Sequence, residues 1–177
     1  MKSRTVRKLS GEELVQHALK LLNVRALSAS ELRTKLMRRA AQPEDVGPAI
    51  EKMKEYGFVD DSRFAEGYAS ARRESGSYGK QRVLRGLQQR KVSASVAQKA
   101  AETAYRDTDE SDLVRKWLER KFRNIPLTEY LKEEKHLASA YRKLRYAGFS
   151  SAASIRVLKQ FAARAEELDD LDNDSAC

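Results

Sequence analysis

The chain has 177 residues, with 35 Lys and Arg against 26 Asp and Glu (net charge +9) and only 8 Gly and 3 Pro. Ala, Leu, Glu, Lys, Arg and Gln fill most of it, and these side chains lose little freedom in a helix, so the composition points to an all-α protein. It excludes a disulfide within the chain, since the sole cysteine is Cys177, and a membrane-spanning helix, since no apolar run approaches ~20 residues.

Residues 1–9 are polar and basic and are expected to be loose. Ser10 and Glu13 have capping-box spacing, and Leu14, Ala18, Leu21 and Leu22 follow on one face, predicting a helix over 11–26. Ser28 and Glu31 repeat the box ahead of Leu32, Leu36 and Ala40. Pro43 opens a third helix, with Val46, Ile50 and Met53 as its stripe and Gly57 as its stop. Asp60 or Asp61 caps a fourth to about Glu74, with Phe64, Tyr68 and Ala71 inward. After Gly76 and Gly79 a fifth runs from 79 to 90 and buries Val83, Leu84 and Leu87. Ser93 caps a sixth with Val96, Ala100 and Ala104 inward. A seventh, opening near Asp107 and Glu110 and ending near Asn124, buries Leu113, Trp117 and Leu118. Residues 127–134 read as a short helical turn or link. An eighth helix carries Leu137, Tyr141 and Leu144 and ends at Gly148; Ser150 starts a ninth, with Ile155, Leu158 and Phe161 buried.

Nine helices fall into three groups of three, and the repeat is visible in register. With Leu36, Leu87 and Leu144 aligned, Ala40, Lys91 and Gly148 stand at the turn. Gln42, Ser93 and Ser150 stand near the next cap, and Ile50, Ala101 and Leu158 on the third helix. One group has too few apolar residues for a good core, whereas stacked groups share burial. The expected architecture is therefore three tandem three-helix units (10–57, 58–106 and 107–164) in an elongated, curved array. The acidic segment 165–177 has the composition of a disordered tail.

Charge is unevenly placed. Residues 166–177 hold six acids and no Lys or Arg, so residues 1–165 carry 35 basic against 20 acidic side chains. A field of that size favours a polyanionic partner: nucleic acid, a nucleoprotein or an acidic protein groove. Arg33, Lys35, Arg38 and Arg39 crowd the second helix. Lys80, Arg82, Arg85, Arg90 and Lys91 crowd the fifth, and Arg142, Lys143 and Arg145 the eighth. One such helix would ordinarily be a solvated face. Recurrence on the equivalent helix of each unit raises the binding reading for the set, with Arg72 and Arg73 as extensions and Tyr78, in a turn beside basic residues, as a contact candidate.

Other groups read more plainly. Asp60 and Asp61 suit helix capping, because no third carboxylate or His lies at ligand spacing. Phe64, Tyr68 and Trp117 suit the core, and His17 and His136 are isolated. No phosphate loop, metal-ligand spacing or nucleophile–base pair occurs, so no catalytic residue, metal or cofactor is expected.

The stretch GFVDDSRFAEGY at 57–68 resembles the most characteristic segment of the RecX family: a glycine, an apolar pair, two aspartates and a helix opening on Arg-Phe-Ala. YGKQRVLRGLQQRKV at 78–92, LSASELRTKL at 27–36 and LRYAGFSSAASIRVL at 144–158 resemble its repeat helices, in order and at compatible spacing over about 12–162. Lys91 stands where the family usually has glycine, and Ala40 and Ala41 replace a glycine and an apolar residue. The resemblance implies a crescent of three-helix units, without enzymatic activity. It also implies binding to RecA and along the groove of the RecA–single-stranded DNA filament. Such binding hinders filament growth, ATP turnover, strand exchange and stimulated repressor cleavage. A cytoplasmic monomer with weak direct DNA binding is expected, its acidic tail competing for the cationic surface. Two other readings stay open: a sequence-independent DNA-binding protein with helix–turn–helix-like units, and a helical adaptor for an acidic protein.

Overall fold

A computed structural model describes residues 7–162 and Ala165. Residues 1–6, 163–164 and 166–177, to which most of the basic N-terminus and acidic tail belong, lie outside the described residues. In chain order the helices are α1 (Gly11–Val24), α2 (Ala29–Met37), a 3-10 turn (Pro43–Asp45), α3 (Val46–Glu55), α4 (Asp61–Glu74) and α5 (Lys80–Gln89). They continue with α6 (Ala94–Tyr105), α7 (Glu110–Lys121), α8 (Leu127–Tyr130), α9 (Glu134–Ala147) and α10 (Ser151–Leu158). The class is all-α; among the described residues the only extended pairing is an isolated bridge between Leu9 and Ala40. No described helix is long and apolar enough to cross a membrane.

The chain divides into two compact units. The first comprises residues up to Gly67 with Gly86–Ala100; the second comprises Tyr68–Arg85 with residues from Ala101 onward. In the first, α1, α2 and α3 enclose Leu14, Ala18, Leu32, Leu36, Val46, Ile50 and Met53. In the second, α7, α9 and α10 enclose Val114, Leu118, Leu137, Tyr141, Leu144, Val157 and Leu158, with Trp117 edge-on to Phe149 at 6.5 Å. These are the apolar stripes at i, i+3 and i+4 that the sequence carries.

Several expectations change in detail. Ser10 precedes α1 without a side-chain cap, the Glu13 N–H donating to the Ser10 carbonyl at 3.1 Å and the Glu13 carboxylate pairing with Arg7. The second box forms in full: Ser28 Oγ accepts from the Glu31 N–H at 3.1 Å, and Glu31 accepts from the Ser28 N–H at 3.3 Å. Asp60 caps α4, accepting from the Ser62 and Arg63 N–H groups, while Asp61 accepts from the Ala29 N–H at the start of α2. On α4 the fully buried residues are Ala65 and Ala69, one position beyond Phe64 and Tyr68, which are half-buried. On α6 they are Ala97, Ala100 and Ala101, not Val96 and Ala104. In both helices alanines take the closest approach, and the larger side chains flank it. The helix predicted to Asn124 stops at Lys121, and residues 127–130 form the short helix α8.

The aligned positions share geometry. Leu36, Leu87 and Leu144 are fully buried. The Val92 N–H reaches the Leu87 carbonyl and the Phe149 N–H the Leu144 carbonyl, both at 3.2 Å, the six-to-one bond of a Schellman ending. Lys91 and Gly148, the corresponding turn residues, both take positive φ (58° and 89°). The first group ends differently: the Ala41 N–H turns to the Leu9 carbonyl and the Leu9 N–H to Arg39, the bridge noted above.

Candidate functional site

In the second unit the start of α5 meets the end of α9. A helix start leaves N–H groups unpaired and a helix end leaves carbonyls unpaired, so joining them satisfies both. The Gly79 N–H donates to the Ala147 carbonyl at 2.9 Å, and the Gln81 N–H to the Gly148 carbonyl at 3.2 Å. The approach requires glycine on both sides. A Cβ on Gly79 would lie 2.2 Å from the Gly148 carbonyl oxygen, and one on Gly148 would lie 2.3 Å from the Arg82 nitrogen. The first unit uses the same joint one repeat earlier, through a side chain. Ser28 Oγ donates to the Arg90 carbonyl at 2.8 Å, and Ser28 and Arg90 are the register equivalents of Gly79 and Ala147.

That joint sets the groove. The turn before α5 is pinned by Arg120, whose guanidinium donates to the carbonyls of Ser75 at 2.7 Å and Gly76 at 3.2 Å. The Tyr105 hydroxyl donates to the Tyr78 carbonyl at 2.7 Å. Burial pushes the Tyr105 phenol up to about 12, so it remains a donor even at alkaline pH where a free phenol ionises. Tyr78, thus held, enters an alternating series of rings and guanidinium groups. Arg72 lies 5.1 Å from the Tyr68 ring and 4.9 Å from Tyr78, and Arg82 lies 5.2 Å from Tyr78 and 4.4 Å from Tyr146. Each contact has cation–π geometry. Arg82 and Arg85 also donate to the Tyr146 carbonyl, at 3.0 and 3.3 Å, where the negative end of the α9 dipole favours cations.

The result is an open groove of about 580 Å³ lined by Tyr78, Arg82, Trp117, Lys121, Arg142, Lys143 and Tyr146, with Ser77 and Ser139 supplying hydroxyls. Among the described residues no carboxylate lines it. Arg142 and Lys143 are exposed, the latter 5.5 Å from the Phe122 ring, and Tyr146 is 72% exposed. A shallower groove of about 340 Å³ in the first unit is lined by Lys35, Arg38, Arg90 and Lys91, with Glu31 among them. Glu31 lies 3.2 Å from Arg25 and 3.9 Å from Arg90, which lowers the net field there.

The basic residues singled out from sequence thus have different surroundings. Tyr78, Arg82, Arg142 and Lys143 share the second-unit groove, with Arg72 behind Tyr78. Arg38 and Arg90 share the smaller one, Arg90 also donating to the Gly86 carbonyl at 2.9 Å; Arg33 is exposed outside both linings. Four others hold local structure. Arg145 donates to the Phe149 carbonyl at 2.6 Å, Lys80 lies 3.8 Å from Glu102, Arg73 lies 3.5 Å from Glu74, and Arg39 offers its carbonyl to Leu9. Sequence reasoning passed over Tyr146, Lys121 and the two serines. Tyr146 was findable: it lies off the stripe of Leu137, Tyr141 and Leu144, hence outward. Lys121 belongs to a different helix, and periodicity within α9 carries no trace of it.

This architecture belongs to a known class of helical regulatory proteins. A crystal structure of regulatory protein RecX superposes with a TM-score of 0.65 at 21% identity, covering 82% of this chain and 73% of that one; at that identity the likeness speaks for the fold alone. The profile of the RecX second three-helix domain matches residues 60–100. Regulatory protein RecX of Cronobacter sakazakii is 33% identical over 161 residues, covering 84% of this chain and 92% of the relative. That of Caldanaerobacter subterraneus is 28% identical over 113 residues, and the chain spans 57% of its length. The chain belongs to the RecX family of regulatory proteins.

Proposed function

We propose that this protein binds RecA and its single-stranded DNA filament and restrains the filament's recombinase, ATPase and coprotease activities. It acts as a cytoplasmic monomer without catalysis of its own, built from three-helix units over 10–57, 58–106 and 107–164. Family membership supports the reading. The observation that carries it is the cationic groove of the second unit, where Lys121, Arg142 and Lys143 stand with no carboxylate among the lining residues. A surface of that charge is matched to the acidic faces and phosphates of a nucleoprotein, and charge of this kind steers encounter and orientation.

The test assembles RecA on single-stranded DNA with ATP and titrates in the full chain. ATP turnover falls at near-stoichiometric amounts. Arg142→Glu with Lys143→Glu weakens that suppression, and these are suitable targets because both side chains are exposed. Reversal at Arg82, Arg85 or Arg90 would instead disturb carbonyls that hold the helix ends. Turnover indifferent to the wild-type chain refutes the reading.

A further inference from the structure

The second-unit groove has a feature that charge alone does not require: a tyrosine ring presented to solvent at the edge of a cationic cleft. We propose that this groove is a direct binding site for unpaired nucleotides, in which one unstacked base lies on Tyr146 and the flanking phosphates meet Lys121, Arg142 and Lys143. The inference deepens the filament reading at the same surface, and its test omits RecA so that the two can fail separately.

Three observations converge. Tyr146 is 72% exposed although its own C=O is gripped by Arg82 and Arg85, so the ring is offered outward from a fixed backbone. The Arg82 guanidinium 4.4 Å from its centroid occupies one side of the ring, and the exposed remainder is left for a ligand. Lys121, Arg142 and Lys143, from α7 and α9, border the same cleft, with hydroxyls of Ser77 and Ser139 suited to phosphate oxygens or base edges. Its volume of about 580 Å³ suits a small organic group, since ligand clefts run from roughly 300 to 1,000 Å³.

Aromatic platforms beside cations are how single strands are held without sequence preference, because every base has a π face. A duplex keeps its bases stacked and offers phosphates and groove edges but no base face, so it would use the cations and leave Tyr146 idle. An acidic peptide would do the same. The observations therefore favour a single strand over both.

The test uses the full chain and a short fluorescein-labelled oligothymidylate. Anisotropy gives affinity, and emission of Trp117, the sole tryptophan and part of the groove lining, reports occupancy. An abasic strand of equal length, a duplex and poly-glutamate serve as comparisons. Oligothymidylate binds more tightly than the abasic strand and quenches Trp117. Tyr146→Ala weakens oligothymidylate binding by about ten-fold, the scale of one base–aromatic stack, with the abasic strand unaffected. Tyr146→Phe preserves binding, and Arg142→Glu with Lys143→Glu weakens both strands. The proposal is overturned if Tyr146→Ala leaves oligothymidylate affinity unchanged, if duplex binds as well as single strand, or if poly-glutamate displaces the strand and quenches Trp117 more strongly. The last outcome would assign the groove to an acidic protein.

Discussion

Gly148→Ala should unfold the second unit far more readily than a surface substitution does. Gly148 has φ +89°, in the left-handed region, and a Cβ there would lie 2.3 Å from the Arg82 nitrogen and 2.5 Å from its Cβ. The left-handed conformation costs a non-glycine residue about 1–2 kcal/mol. Forcing α5 off the end of α9 adds roughly 1–3 kcal/mol of overpacking and strains the Gly79–Ala147 and Gln81–Gly148 hydrogen bonds. The sum is about 3 kcal/mol, and with a urea slope near 2 kcal/mol per molar the midpoint falls by about 1.5 M. Trp117 is the natural probe, being 8% exposed in the core of that unit. Lys91→Gly is the matched control at the equivalent turn. Lys91 has φ 58°, so glycine relieves about 1–2 kcal/mol of backbone cost and returns about 0.4–1 kcal/mol of unfolded-chain entropy. It should be neutral to slightly stabilising by far-UV circular dichroism. An unchanged Trp117 midpoint in Gly148→Ala would refute the account of the joint.

Ser28→Ala removes the hydroxyl half of a working cap and the bond to the Arg90 carbonyl, while the backbone N–H at 28 keeps its bond to Glu31, and thermal melts should show a loss of about 1–2 kcal/mol. Ser10→Ala, which removes no side-chain cap, should change stability by no more than about 0.5 kcal/mol. Tyr105 ionises near 12 when folded and near its usual value of about 10 when unfolded. Between those values the unfolded chain holds fewer protons at this group, so its contribution to stability is constant below about pH 10 and is lost as pH rises towards 12. Absorbance titration at 295 nm should lose a late-ionising component in Tyr105→Phe; identical high-pH titrations of the wild-type chain and Tyr105→Phe would contradict the burial argument. Single-strand affinity should fall with salt at a log–log slope of about −0.7 per phosphate engaged, and Lys143→Gln should flatten that slope by roughly one contact's worth. An identical slope would remove Lys143 from the contact set.

Local chemistry was legible in the sequence. Apolar spacing marked the helices, because a side chain's face on a helix follows from its position alone. The Ser28–Glu31 box, the Asp60 cap and the left-handed turn at Gly148 involve residues within a few positions of one another. The register of Leu36, Leu87 and Leu144 was readable for the same reason, and these leucines are all fully buried. Among the misassignments, the Ser10 box does not form, Leu84 is only partly buried and Ala71 is exposed; on α4 and α6 the tightest contacts use Ala65, Ala69 and Ala97 instead of the larger neighbours that hydropathy favours.

What each cation does was decided only by folding. Arg82, Arg85 and Arg142 look alike in sequence, yet two of them reach the Tyr146 carbonyl, more than sixty positions away, and the third lines an open groove. The same holds for Lys91 and Gly148. Both turns demand positive φ, but glycine is obligatory only at Gly148, because there the backbone of a distant helix fills the space a Cβ would need. A helix is specified by interactions three or four residues apart, so its sequence suffices to draw it. A binding groove is specified by which helix ends meet, and that depends on packing between residues far apart in the chain.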